Sequence, residues 1–199
     1  MIELLCGADD FAVAEQAARR RADAAAADPM ADLNAVVLDG ARLTVAELQT
    51  AADALPFLGG RRLVIVHGLL GRCNLRGGDK SKERRAALVD GLLAYLPGVP
   101  ASTDLVLVEG VLEADNRVAA WLRGATGDDG AVRVRSFEPP PPERLPAWIA
   151  ERAARRGGVF TPAAAAALAA ALAPDGPADL RRVDGEVEKL LTYALDRAV

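Results

Sequence analysis

Leu63-Val64-Ile65-Val66-His67 is the stretch that decides the fold. It is nearly continuous in branched apolar residues, with no polar residue to face water until its end. A strand of that kind must be covered on both faces, as strands are in parallel sheets with helices above and below. Asp104-Leu105-Val106-Leu107-Val108 repeats the pattern, and residues 2–6 and 34–38 read as further strands. Val132–Phe137 differs, because valine and arginine alternate in it. One wet face marks an edge or end strand.

The gaps between these runs read as helices. Asp9 or Asp10 can cap one that runs to about Ala26. Thr44-Val45-Ala46-Glu47 is a capping box, and Val45, Leu48, Ala52 and Leu55 then follow one face. Residues 82–96 carry Leu88, Leu92 and Leu96 four apart, and residues 116–124 form a shorter helix through Trp121. Strand–helix alternation of this kind makes an open α/β sheet, here expected to be five-stranded and mainly parallel.

The texture changes at four consecutive prolines, 139–142, which can continue neither a strand nor a helix. Beyond them the pattern is all helix: residues 145–156, then a helix opened by Thr161-Pro162 and stopped before Pro174, then one through Leu180, Val183, Val187, Leu190 and Ala194. The expected organisation is an α/β domain at 1–138, a proline linker at 139–142 and a small helical lid domain at 143–199. The helical part is expected to pack around Trp148, Leu180, Val187 and Leu190.

Composition narrows the function. The 199 residues are 51% hydrophobic and 26% charged, enough to bury a core. Arginine stands where lysine often would; the lysines are Lys80, Lys82 and Lys189. The net charge of −4 argues against a chain whose main task is gripping a phosphate backbone. Cys6 and Cys73 have no metal-site spacing, so neither a disulfide framework nor a zinc site is expected, and Cys6 reads as a buried strand thiol. No run of about 18 apolar residues suggests a membrane span, and the expected location is the cytoplasm.

An α/β domain followed by helices raises the question of a nucleotide-hydrolysing P-loop. The turn after the first strand would need G-x-x-x-x-G-K-[ST], so that backbone amides and a lysine wrap the phosphates. Here it is Gly7-Ala8-Asp9-Asp10-Phe11-Ala12-Val13, with one glycine, no lysine and two carboxylates. No ATP hydrolysis, no cofactor and no catalytic residue are expected. Asp9 and Asp10 could hold magnesium in a phosphoacceptor domain, but His67 and Gly68 stand where a third acid belongs, and Glu138 and prolines where the lysine belongs. Helix capping is the better reading of both. His67 is the one histidine and lacks a cysteine, serine or histidine partner, so it reads as a strand-end residue. Gly59-Gly60 and Gly77-Gly78 lack a dinucleotide-binding context.

The segment Ala54-Leu55-Pro56-Phe57-Leu58-Gly59-Gly60-Arg61-Arg62 joins the capped helix to the central strand. Leu55 could close the core at the helix end. Phe57 and Leu58 lie past the helical pattern and before the strand. Two bulky apolar residues at a loop tip suit a plug for a partner's pocket.

These stretches, taken in order, resemble the delta subunit of bacterial DNA polymerase III. The resemblance rests on Leu4-Leu5-Cys6-Gly7 with Phe11, Asn34 with Leu38-Asp39-Gly40, residues 55–66, and Tyr95-Leu96-Pro97 followed by residues 102–108. In the helical part it adds Leu145-Pro146-Ala147-Trp148-Ile149 and Glu186-Val187-Glu188-Lys189-Leu190 with Tyr193. It implies an AAA+-like fold without nucleotide binding, in a subunit that opens the beta sliding clamp for loading onto primed DNA. It implies the beta clamp, the tau/gamma subunits and delta-prime as partners, with DNA met mostly through the complex. It also implies that Phe57 and Leu58 are the clamp-binding pair, with Leu55 beside them. The family's usual order is leucine then phenylalanine, which leaves the register open by one residue. Family members carry a further helical collar domain, so the chain is either a fragment or naturally short. A delta-prime-like scaffold lacks support, because neither its zinc-binding cysteines nor its Ser-Arg-Cys motif is here. An α/β enzyme working through His67 or Asp9 and Asp10 is the remaining alternative.

Overall fold

A computed structural model describes residues 1–74, 79–127, 130–173, 178–194 and 199. Gly77-Gly78 and Pro174 lie outside them. The chain divides into two compact units, Met1–Phe137 and Glu138–Val199.

The first unit is built on five strands: β1 (Ile2–Gly7), β2 (Ala35–Asp39), β3 (Arg62–His67), β4 (Thr103–Val108) and β5 (Val132–Phe137). They lie side by side in the order β2-β3-β4-β1-β5, and every pairing is parallel. The continuous apolar runs occupy the middle. The alternating Val132–Phe137 lies at one edge, where the Arg133 and Arg135 positions are not asked to be buried. At the other edge β2 is only half-buried, with Val37 exposed.

The two-residue period of the strands sorts their side chains into two cores. On one face Leu4, Cys6, Val64, Val66, Leu105 and Leu107 pack under α3 (Val45–Asp53), α4 (Asp79–Tyr95) and α5 (Arg117–Gly124). On the other, Leu5, Leu63, Ile65, Val106 and Val108 pack against Val13 and Ala17 of α1 (Asp10–Ala27). Alanine is frequent along α1, so that helix brings little bulk to its core. Part of its hold is polar: Arg20 bonds the carboxylate of Glu3, a β1 residue only 1% exposed.

Caps start the helices where expected. Asp9 accepts the Ala12 amide at 2.8 Å, which makes Asp9 and not Asp10 the cap of α1. Thr44 and Glu47 form the reciprocal capping box of α3, and Asn116 caps α5. Two local expectations need correction. Asn34 does not begin β2; it ends a single helical turn, α2 (Ala31–Asn34), because its side chain is committed elsewhere. Leu55 is not on the α3 face, because that helix stops at Asp53 ahead of Pro56 and Leu55 points into solvent. His67 is exposed at the end of β3, the strand-end position expected for it.

In the second unit, a short 3₁₀ turn at Pro142–Arg144 ends the proline run and leads into α6 (Leu145–Arg155). Then follow α7 (Pro162–Leu172), with Thr161 as its cap, and α8 (Leu180–Ala194). Its core is Leu145, Ile149 and Ala153 against Phe160 and Ala165, and Leu180, Val183 and Val187. Trp148 and Leu190 are half-buried rather than central. The buried positions of α7 are taken by small residues, Ala165 and Ala169. Trp148 sits instead under the Arg152 guanidinium, 5.7 Å from its ring centre. Arg152 and Arg156 converge on the buried carboxylate of Asp184, each at 2.5 Å. Burial pushes that carboxyl upward, but hydrogen bonds from the two guanidiniums outweigh it and hold Asp184 below the usual carboxylate range.

Candidate functional site

The segment between α3 and β3 stands at the amino end of the sheet. α3 ends against three side chains from other elements. Arg62 bonds the Ala51 carbonyl, Thr103 donates to the Ala52 carbonyl at 2.7 Å, and Tyr95 donates to Asp53 at 2.6 Å. After the loop, Arg61 grips Asp104 through a two-pronged pair at 2.8 and 2.7 Å. Burial pushes the Asp104 carboxyl up, but Arg61 and the chain's own ammonium group win and hold it low. Both ends of the segment are therefore fixed.

What lies between is apolar and turned outward. Leu55 is 88% exposed, Phe57 55% and Leu58 78%. Fully burying a side chain of this size stabilises a fold by roughly 1.5–3 kcal/mol, so the fold forgoes most of that gain at Leu55 and Leu58 and about half of it at Phe57. The backbone is unusual as well. Leu58, Gly59 and Gly60 have φ of 54°, 88° and 79°, and Leu58 is the one non-glycine with positive φ among the described residues. A β-carbon on Gly60 would also come within 2.5 Å of an Asp28 carboxylate oxygen. The two glycines thus make a turn that other residues would resist.

Asn34 supports this loop, and sequence reasoning gave it no such part. Its carboxamide is almost wholly buried and accepts the Phe57 amide at 2.6 Å, while donating to the carbonyls of Phe57 at 3.2 Å and Gly59 at 3.4 Å. The signal was a polar residue at the head of an apolar run, but its partners lie more than twenty positions away.

The carboxyl end of the sheet holds the other candidates. Gly7 has φ 137°, and a β-carbon there would lie 2.0 Å from the Phe137 carbonyl oxygen. Its amide bonds the Gly110 carbonyl, the Asp9 amide bonds that of Phe137, and the Ala12 amide bonds the Asp9 carboxylate. These are the kinds of amide a phosphate-cradling turn would leave free. Next to this turn Glu109 is 4% exposed and accepts the Leu70 and Gly71 amides at 2.7 and 3.1 Å. Burial raises its pKa more than those bonds lower it. Cys73, buried nearby, has its thiol pushed up to about 11 by burial and by Glu109. A thiol held neutral in this way is a poor nucleophile. Asn116, fully buried, donates to the Leu70 carbonyl and to Asn74. His67 is not part of this network as described. Among the described residues no group of three or more His, Cys, Asp or Glu could hold a metal ion, and no helix is long and apolar enough to cross a membrane.

The family model for the DNA polymerase III delta subunit matches residues 4–123, more than half of the chain and including the exposed loop. The chain belongs to that family. The Bacillus subtilis DNA clamp loader delta protein (YqeN) has a similar structure, with a TM-score of 0.67 at 21% identity. The likeness covers 100% of this chain and 55% of that one, so the chain spans about half the length of that protein. Thermotoga maritima RuvB is similar at a TM-score of 0.44 and 14% identity, over 98% of this chain and 57% of that one. Among curated proteins there is no match. The expected five-stranded, all-parallel sheet with flanking helices is the fold this chain shares with that delta protein.

Proposed function

We propose that this delta-family chain binds and opens the beta sliding clamp, working in the cytoplasm with tau/gamma and delta-prime subunits to load the clamp onto primed DNA. The observation that carries this reading is the loop at the amino end of the sheet. It is anchored at both ends and tethered in the middle, yet Phe57 and Leu58 project into solvent with Leu55 beside them. A fold that spends hydrogen bonds to hold apolar side chains outward has a partner to receive them. Phe57 and Leu58 are the pair that enters the clamp, and Leu55 widens the contact. The chain brings no nucleotide chemistry; hydrolysis belongs to its partners.

Apolar anchors at the centre of an interface contribute about 2 kcal/mol or more each when truncated. Phe57→Ala combined with Leu58→Ala should weaken binding to purified beta clamp by about a hundredfold or more, at about 1.4 kcal/mol per tenfold. The thermal midpoint should stay near that of the wild type, because neither side chain serves the core. A stable double variant with unchanged clamp affinity rules the assignment out. A variant that loses affinity only because it unfolds does the same.

A further inference from the structure

We propose that Asn34 is a positioning residue for the clamp-binding loop: its buried carboxamide fixes the backbone of residues 57–59 so that Phe57 and Leu58 point outward before the clamp arrives. This rests on the reading of that loop given above. Asn34 is 1% exposed, and its amide group satisfies both the N–H and the C=O of Phe57 and reaches on to the Gly59 carbonyl. In effect one side chain plays the part of a neighbouring strand for a residue that has none. The loop needs such a template. Leu58 carries positive φ, which a leucine adopts only when its surroundings impose it, and the two glycines after it permit many other shapes. Without the tether these residues would sample those shapes, and ordering them would be charged against clamp binding. Asn34 reaches the loop from the end of α2, and Asp28, just ahead of that turn, abuts Gly60, so one short segment cradles the loop at two points.

The test measures clamp affinity, unfolding midpoint and amide hydrogen exchange on the 199-residue chain. Asn34→Ala should bind purified beta clamp about tenfold more weakly, a change of about 1.4 kcal/mol, at a temperature where it is fully folded. Exchange at the Phe57 amide should quicken while that of β3 and β4 amides stays slow. The loss should also be non-additive: added to Phe57→Ala with Leu58→Ala, Asn34→Ala should cost little more, because nothing is left to position. A residue that merely supports the fold would cost the same in either background. If Asn34→Ala does not fold, Asn34→Ser keeps a polar group at the site but is too short to bridge both Phe57 and Gly59, and should show the same loss. Wild-type affinity in a folded Asn34 variant, unchanged exchange at Phe57, or full additivity overturns the proposal. If the Phe57→Ala, Leu58→Ala variant itself binds like the wild type, the loop is not the clamp contact, and both readings fall.

Discussion

At the carboxyl end of the sheet the turn after β1 folds its polar groups inward, whereas at the amino end the loop before β3 turns large apolar side chains outward. In the first, the Gly7, Asp9 and Ala12 amides are bonded within the chain, a carboxylate caps the helix, and Glu109 is sealed against the neighbouring turn. In the second, the polar groups hold the backbone in place, and Leu55, Phe57 and Leu58 are left to solvent. The first end is built like a core and the second like half of an interface. A parallel α/β sheet normally places its ligand at the carboxyl ends of its strands; here the exposed apolar loop, proposed above as the clamp contact, is at the opposite end.

That contrast can be broken at the closed end, where the largest effect is expected. Gly7→Ala combines a disfavoured φ with a clash against Phe137 backbone, and should destabilise the α/β unit by about 3 kcal/mol or more. Urea unfolding measures this. Clamp affinity of the molecules that remain folded should be unchanged, and a folded Gly7→Ala that binds clamp poorly would show that the two ends are coupled.

A smaller effect concerns pH. Burial raises the Glu109 pKa above its unfolded value near 4.3. The folded state then binds its proton more readily than the unfolded state does. Its contribution to stability is therefore greatest below the unfolded pKa and is lost as pH rises through the folded one. Wild type should gain stability relative to Glu109→Gln as pH is lowered from 7 toward 4, measured by parallel urea titrations. A difference that is flat with pH, or that runs the other way, removes the burial argument for the closed end.

The smallest expected effect is none at all. Isothermal titration of the chain with Mg-ATP should show no saturable binding at micromolar concentration, because the Gly7, Asp9 and Ala12 amides of that turn are engaged and carboxylates stand beside them. Saturable heat would mean that the carboxyl end opens to a ligand after all.

Strand positions were legible in the sequence because continuous apolar runs and the Val/Arg alternation of β5 are local patterns. So was the capping box, whose partners Thr44 and Glu47 lie three apart. What stayed hidden depends on distant partners. Glu109 and Asn116 look like surface residues until the fold brings Leu70 and Gly71 to them. Asn34 read as the first residue of a strand for the same reason. Leu55 fits the apolar spacing of α3, but spacing alone does not say where a helix ends, and the helix stops short of it. The exposed pair was visible only as bulk in the wrong place, and its outward direction came from the backbone turn at Leu58, Gly59 and Gly60.

The strand order carries a consequence for synthesis. β1 precedes the other four strands in the chain yet lies between β4 and β5, so that Ile2 faces Leu105 on one side and Val132 on the other. A ribosome adding roughly 5–20 residues per second therefore leaves β1 with a bare edge for on the order of ten seconds, until residue 137 has been added and has cleared the exit tunnel. Until β4 has emerged, Leu4 and Leu5, fully covered in the finished fold, have no sheet to join, and after that β1 still lacks its second neighbour. The forming sheet is thus most open to mispairing through β1, and the weakly apolar β5, with an arginine at every second position over Val132–Arg135, closes that edge with a segment ill suited to recruiting another chain in its place.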